Sequence, residues 1–492
     1  MSISSKSSKK GGFRRVRFII LVVSVFYLAF LQSSVMTFNT AYVVLSNETS
    51  SPLFNEYQLG ATAALLNMNQ FDWSPSYLPL ALHRFPLGGL QRSFTFAASF
   101  AGGLLGTFPM LYVLKHVGAH VTMSIVGIAS CILCALTPVT IAASFELFLV
   151  LRFITGFLAA PIFPVIGTII EDWAPMEEKG LFVAILSAHV ELDTLFTPPV
   201  GSLIAEKVNW PTVFYVQALV CAFFTVGWMY FYRDDPGEHF MITPHEVEMI
   251  HRGKTKDHLM SPPYRAIFTS LSIWAVFVSA IGTIFVGQFM DVFSPQYFTS
   301  VLGYSPTITG TLTIIPTIAL LPLKAIAGIA SDKITRISEL AKLRIFNSLA
   351  CFLGAAFFVV IILVPPSTNS AAATALIMMP FILLAFLSGG FHKAAVMISR
   401  QHSSFVYSIV HIFSMLALIC STFTIPLLTP DETFEQWRIV FIIFIAVLVI
   451  SNIFFIIFVK AEPAEWAHVT NNKKNDFVQL TEEPRPKHQL RQ

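Results

Sequence analysis

The stretch Phe145–Gly180, FELFLVLRFITGFLAAPIFPVIGTIIEDWAPMEEKG, decides how the rest of the chain is read. It opens as an apolar run interrupted about two turns in by a single arginine, Arg152, and closes on Trp173-Ala174-Pro175 and a charged patch. At about 1.5 Å per helical residue, the roughly 26 residues to Ile170 cross a hydrocarbon core of about 30 Å with some tilt. Arg152 then lies about 10 Å inside one face, too deep for a boundary anchor. A guanidinium at that depth is costly unless it faces a water-filled cavity or an anionic partner. The placement points to an anion pathway.

The whole chain has the same character. Of its 492 residues 55% are hydrophobic and 12% charged, 47 are Phe, and the mean hydropathy is +0.69. A soluble domain carries about 25% charged residues, so this is a polytopic protein of the lipid bilayer. Nothing in its charge pattern suits nucleic acid, and nothing specifies an oligomer. The five cysteines all fall in apolar segments, which excludes an external disulfide framework. A phosphate-binding G-x-x-x-x-G-K-[ST] loop and an H-E-x-x-H zinc motif are both absent. The chain therefore reads as neither ATP-driven nor an enzyme, with no metal and no cofactor beyond Na⁺ or H⁺ as a coupling ion.

Read outward from the opening stretch, residues 1–17 form a basic, Ser-rich tail and Phe18–Phe38 a first, retained span. A polar loop, 46–92, follows and carries the sequon Asn47-Glu48-Thr49. Spans are expected at Ser93–Leu114, Val121–Ala143, Phe145–Ile170, Leu181–Ile204 and Val213–Tyr232. A polar segment, 233–265, separates these six from six more: Ile267–Gly287, Thr307–Ala330, Ile345–Val364, Ala372–Ile398, Phe405–Leu427 and Val440–Val459. The expected domains are thus 18–232 and 266–460, flanked by the tails 1–17 and 461–492. With both termini cytoplasmic, about 24 of the Lys and Arg lie on the cytoplasmic side and about four outside, as the positive-inside rule requires. A glycan on Asn47 needs the same orientation. In the central segment, Thr243-Pro244-His245-Glu246 reads as an N-cap, a Pro at the first position and a Glu reaching back. It opens a short amphipathic helix, from Pro244 to about Arg252, expected to hold the halves together.

The ordered set Arg152-Phe-Ile-Thr-Gly156, Phe163-Pro164, Trp173-Ala174-Pro175 with Glu178, Pro198 and Gly201, Asn209-Trp210 with Val213-Phe214-Tyr215, and Ile242-Thr243 with Glu246 and Ile250 resembles the anion:cation symporter family of major facilitator transporters. That family includes sialin, the vesicular glutamate transporters and the sodium/phosphate cotransporters. The likeness continues through Pro263-Tyr264-Arg265-Ala266-Ile267-Phe268-Thr269-Ser270-Leu271, Trp274-Ala275, Glu435-Gln436-Trp437, Val440-Phe441 and Ala461-Glu462 with Trp466-Ala467. It implies an all-α membrane protein of the major facilitator fold, twelve helices in two six-helix halves. The departures mark a divergent member: no arginine in Ser33–Thr37, Phe96 where relatives carry a histidine, Ala159 where they carry an acid, and His392-Lys393 in helix 10.

Helix 5 holds the least usual constellation, His189-Val-Glu191-Leu-Asp193, close to mid-span. His189 and Asp193 share a helix face and suit a proton- or cation-responsive pair, with Glu191 pointing elsewhere. Arg152 has the planar fork that suits a carboxylate or phosphate, a role the resemblance also implies. Lys324, and Gln32 and Asn39 of helix 1, are further candidates for solute binding. The function these residues imply is secondary active transport of a small organic or inorganic anion by alternating access, coupled to Na⁺ or H⁺ or driven by membrane potential. The competing reading is a carrier-shaped sensor that binds a solute without moving it. Neither tail shows a clear acidic dileucine signal, which favours the plasma membrane over vesicular or lysosomal membranes.

Overall fold

A computed structural model describes residues 15–46, 79–85, 87, 89–175, 178, 182, 185–252, 263–334, 336–364 and 370–467. The sequon Asn47 and most of its loop lie outside these residues. Within them the secondary structure is entirely helical. The first half comprises α1 (Val16–Leu45), α2 (Gly89–Val117), α3 (Ala119–Ala143), α4 (Phe145–Ala159), α5 (Ile162–Trp173), α6 (His189–Lys207) and α7 (Trp210–Phe231). Two short helices, α8 (Pro244–His251) and α9 (Tyr264–Thr269), lead into the second half. That half runs through α10 (Leu271–Gln288), a π-helical turn Phe289–Phe293, α11 (Ser294–Ser300), α12 (Pro306–Leu312), α13 (Ile314–Lys333) and α14 (Glu339–Leu363). It finishes with α15 (Ser370–Leu383), α16 (Phe391–Ser399), α17 (Ser403–Leu428) and α18 (Phe434–Phe458).

Eleven spans among the described residues are long and apolar enough to cross a bilayer. Helix α6, which covers most of the expected fifth span Leu181–Ile204, is not among them: it carries Glu191, Asp193 and Glu206 besides His189, and several residues at the start of that span lie outside the described residues. It packs against α1, α12 and α13 and leaves Phe196, Val200 and Leu203 exposed. The expected fourth span is broken at Ala160-Pro161, where a ring replaces a backbone donor and divides α4 from α5. The expected tenth span divides likewise at Leu384–Ser388, and the seventh passes Gly287 and continues to Ser300.

Close packing of α2 on α4 depends on glycine. A Cβ on Gly156 would stand 1.8 Å from the Ser99 carbonyl oxygen, and one on Gly102 would stand 2.0 Å from that of Phe153. These contacts draw the Arg152 turn of α4 against both α1 and α2.

At the end of the molecule where residues 233–252 lie, here the linker end, one polar cluster fastens α1. Thr243 caps α8 by accepting from the Glu246 amide at 3.3 Å. The Glu246 carboxylate does not reach back to close a capping box. It accepts the amides of Val16 and Arg17, both at 3.2 Å, and the Arg17 guanidinium at 3.0 Å. It thereby satisfies orphan donors of α1, not of its own helix. Arg17 also meets Glu178 at 2.7 Å. With Ile250 fully buried in a core of first-half residues, α8 is docked on the first half; the expectation that it ties the halves together is corrected to that extent.

Glu246→Ala strips α1 of those acceptors and leaves Arg17 with one carboxylate. It is expected to cost on the order of 2 kcal/mol, read as a lower melting temperature of the detergent-solubilised protein. The hydrogen bond from Arg17 holds the Glu178 carboxyl below its ordinary value of 4.5. A depressed carboxyl contributes stability above its unfolded-state value and loses it as pH falls. The effect of Glu178→Gln on melting temperature should therefore be full at pH 6 and shrink progressively as pH falls below 4.5 toward the lowered folded value.

The opposite, far end is where the halves close on each other. Arg92 at the start of α2 pairs with Glu432, in the turn before α18, at 2.5 Å, and Glu432 also accepts from Ser300. Arg92 thus belongs to a helix and an inter-half ion pair, not to the loop in which the sequence reading placed it. Glu206 of α6 accepts the Thr307 amide at 2.8 Å and its hydroxyl at 2.6 Å, placing a carboxylate at the N-terminus of α12. A shared apolar core backs these bonds, with Phe96 of α2 edge-on to Phe293 at 6.0 Å. Phe96 and Phe293 thus form an aromatic seal between the halves at this end.

Candidate solute and ion-coupling site

Arg152 does not line a wet cavity. It is 4% exposed, with Nε donating to the Thr95 carbonyl at 3.4 Å and Nη1 to that of Val35 at 2.8 Å. Its Cζ lies 4.9 Å from the centre of the Phe38 ring. Among the described residues it forms no ion pair. Carbonyl dipoles replace part of its hydration but leave a whole positive charge uncompensated. The expected open placement is corrected: the close approach of α1, α2 and α4 encloses the group. What remains is a fixed cation whose field is felt by anything negative entering between the halves.

Helix α6 also departs from the expected pairing. His189 stands in its first turn, where the ring folds back and Nδ1 meets the Leu186 carbonyl at 2.9 Å. That bond makes Nδ1 the donor and leaves Nε2 a bare acceptor. Nε2 has no partner among the described residues. Asp193 accepts from Thr197, one turn on, at 2.5 Å, and Thr197 in turn bonds Ser33 of α1. His189 and Asp193 therefore share a helix face without bonding each other. With Asp193 ionised, the single Thr197 proton goes to the carboxylate and Ser33 must donate to Thr197, a chain that fixes α6 against α1.

Glu191 points the other way, across the interface between the halves. Its Oε1 meets Lys324 Nζ of α13 at 2.8 Å, while Oε2 has no partner among the described residues. The Lys324 side chain is 38% exposed and that of Glu191 12%. Lys324 is thus an accessible mid-span cation, held by an acid of the opposite half.

Beside this pair stands a residue that the sequence reading missed. Asp291 belongs to the π-helical turn Phe289–Phe293, within the span Leu271–Val301, and its side chain is exposed. It lies within electrostatic reach of Glu191 and Asp193. Exposure that deep, facing carboxylates of the other half, places Asp291 on open space between the halves. Such π turns recur at functional sites because they re-aim a side chain. The available signal was a lone Asp in an otherwise uncharged stretch, IWAVFVSAIGTIFVGQFMDVF. Gln288, on the preceding turn, is 3% exposed with Nε2 unpartnered.

Helix 1 contributes less. Asn39 is 6% exposed and donates to Met36 Sδ at 3.4 Å, and its Oδ1 has no partner among the described residues. Gln32 is half-buried. Lys393 lies toward the linker end, within 3.3 Å of Glu339 and 3.1 Å of the Ser331 hydroxyl. The site therefore consists of the Lys324–Glu191 pair, with Asp291 and Asp193 within electrostatic reach of its neighbourhood, and Arg152 isolated in its own dry pocket.

Two helical halves sealed at one end around ionisable mid-span groups define a membrane carrier. The chain belongs to the Major Facilitator Superfamily, whose description matches residues 53–399. At lower identity it is similar to sialin and to sodium-dependent phosphate transport proteins. Human sialin is 25% identical over 404 residues, covering 79% of this chain and 80% of sialin. Mouse sodium-dependent phosphate transport protein 3 is 25% identical over 379 residues, covering 74% and 77%. Among solved structures, a bacterial homologue of the human lysosomal transporter Spinster, in an inward-facing and occupied conformation, superposes with a TM-score of 0.64. It is 14% identical, covering 91% of this chain and 97% of its own. A D-xylose–proton symporter gives a TM-score of 0.60 at 17% identity, covering 89% and 98%. These relatives and neighbours are transporters, not enzymes.

Proposed function

We propose that this chain is a cation-coupled carrier of a small anion, organic or inorganic, and that Lys324 is the group the anion meets first. The observation that carries this reading is the 2.8 Å Lys324–Glu191 pair, formed mid-span between the halves with the lysine still accessible. An entering carboxylate or phosphate competes with Glu191 for the ammonium. Once displaced, Glu191 adds its charge to that of Asp291, and the two together attract a proton or Na⁺. Anion and cation binding thus favour each other, as linkage requires of a symporter. Arg152 adds a fixed positive field, and the Asp193–Thr197–Ser33 chain keeps α6 aligned on α1 through the transition. Alternation consists of opening the Arg92–Glu432 and Glu206–Thr307 contacts at the far end, which we assign to the outside, with the linker end in the cytoplasm. The plasma membrane is the proposed location, and sialate and phosphate, named in the relatives, head the solutes to try.

The test is uptake into liposomes of labelled phosphate, urate, sialate, aspartate and glutamate, with inward Na⁺, inward H⁺ and inside-positive potential imposed separately. Gradient-driven uptake of at least one anion is expected. Arg152→Ala, checked for an unchanged elution profile, should lower it by at least about tenfold, since loss of one desolvated charge is worth more than 1.4 kcal/mol. Solute binding without uptake under any gradient would overturn the carrier reading in favour of a sensor.

A further inference from the structure

On the outer surface of the second half, away from the solute site, Arg344, Ile345, Ser348, Leu349, Phe352, Leu353 and Ala356 of α14, with Ile456 of α18, line an open groove of about 530 Å³. The α14 positions fall at 344/345, 348/349, 352/353 and 356, a four-residue repeat that forms one continuous stripe along the helix. From Arg344 to Ala356 the stripe runs about 18 Å, close to the roughly 15 Å depth of hydrocarbon in one leaflet. Its walls are apolar except at the head, where Arg344 stands, and at Ser348. The Ser348 hydroxyl accepts from Asn452 of α18 at 3.1 Å, a bond that ties the two helices behind the groove.

Arg344 is unlike its neighbours at the linker end. Lys342 is held by Glu339 at 2.5 Å and Lys393 by the same carboxylate at 3.3 Å. Arg344 has no ion pair among the described residues, and its Nε is buried with no hydrogen-bond partner. It lies about 8 Å inside the start of α14, a depth from which an arginine stem reaches the headgroup layer. The half-buried guanidinium, without a carboxylate among the described residues, calls for an acceptor on the groove side, where the solvent of a membrane-spanning chain is lipid.

We propose that this groove is a binding site for an anionic glycerophospholipid, its phosphate on Arg344 and one acyl chain along the α14 stripe. The guanidinium fork suits a phosphodiester, and the apolar channel below it suits the chain that a free phosphate lacks. A lone snorkelling arginine would need no channel, and an apolar seam between helices would need no buried donor; here the two coincide. Neither the carried solute nor its coupling ion enters this assignment.

The experiment is native mass spectrometry of the purified full chain in detergent with equimolar phosphatidylglycerol and phosphatidylcholine. The wild-type chain should retain phosphatidylglycerol over phosphatidylcholine by about fivefold, the factor expected of one cation at a lipid phosphate that carries net charge. Arg344→Gln should bring the ratio to near unity, and Arg344→Lys should keep most of it. Ala356→Trp, which fills the channel but leaves the charge, should lower retention of both lipids. The ratio is internal to each variant, so differences in yield do not disturb it. An unchanged ratio in Arg344→Gln overturns the proposal. So does retention untouched by Ala356→Trp, since the cation would then act without the groove.

Discussion

Lys324→Ala is expected to lower gradient-driven uptake by at least about tenfold, and adding Glu191→Gln to the same chain should return part of the loss. Glu191 is only 12% exposed, and one of its oxygens is already unpartnered. Removing the lysine leaves that largely buried carboxylate without a counter-charge, at a cost of about 1–3 kcal/mol because the lysine side of the pair is already open to water. The halves would relieve the cost by drawing Glu191 toward water or a bound cation, which disturbs the mid-span interface through which alternation must pass. Neutralising both partners removes the stranded charge, so the double variant should transport better than Lys324→Ala alone. The two roles assigned to Lys324 separate in the kinetics. If it also holds the anion, the double variant recovers kcat but keeps a raised KM. A KM restored to the wild-type value would reduce Lys324 to a counter-ion for Glu191. A double variant no better than the single one would remove the pair from the mechanism.

The fold was almost wholly legible in the sequence, because a bilayer leaves few solutions to the backbone: apolar runs of sufficient length become helices. The α8 cap was legible as well, since Thr243, Pro244 and Glu246 follow a local rule. What the sequence could not convey is which distant groups complete a buried charge. Glu246 satisfies the capping pattern in sequence, yet its carboxylate is taken by α1, some 230 residues away. Arg152 has the depth and chemistry of a cavity residue, but Gly102 and Gly156 bring three helices together and two carbonyls enclose it. His189 and Asp193 share a face, yet each finds a nearer partner on its own helix or in the turn before it. The most informative pair, Lys324–Glu191, joins residues 133 apart and depends on how the halves meet. Asp291 was overlooked because a single Asp in an apolar run has no periodicity to reveal it, and the π turn that aims it inward is a property of the backbone.

Asp291→Asn should abolish accumulation against a gradient while leaving solute exchange across the same membrane within about twofold. Exchange needs only that the loaded carrier cycle between its two faces, whereas accumulation needs the cation to be bound and released in step with the anion. Asp291 is suited to that second task and not to the first. It is exposed mid-span, it faces Glu191 and Asp193, and no lysine or arginine is paired with it among the described residues. When an anion occupies Lys324, Glu191 and Asp291 face each other uncompensated. Two carboxylates within electrostatic reach of each other disfavour joint ionisation, a cost that a shared proton or a bound Na⁺ removes. Asparagine keeps the shape of the side chain and most of its hydrogen bonding but needs no cation, so coupling fails while the path stays open. The measurement is paired: uptake driven by the effective ion gradient, and counterflow of labelled solute at equal ion concentrations on both sides. Loss of both in a well-folded variant would place Asp291 against the solute instead of the coupling ion. Accumulation that survives the substitution would remove Asp291 from the coupling step and leave that role to Glu191 with Asp193.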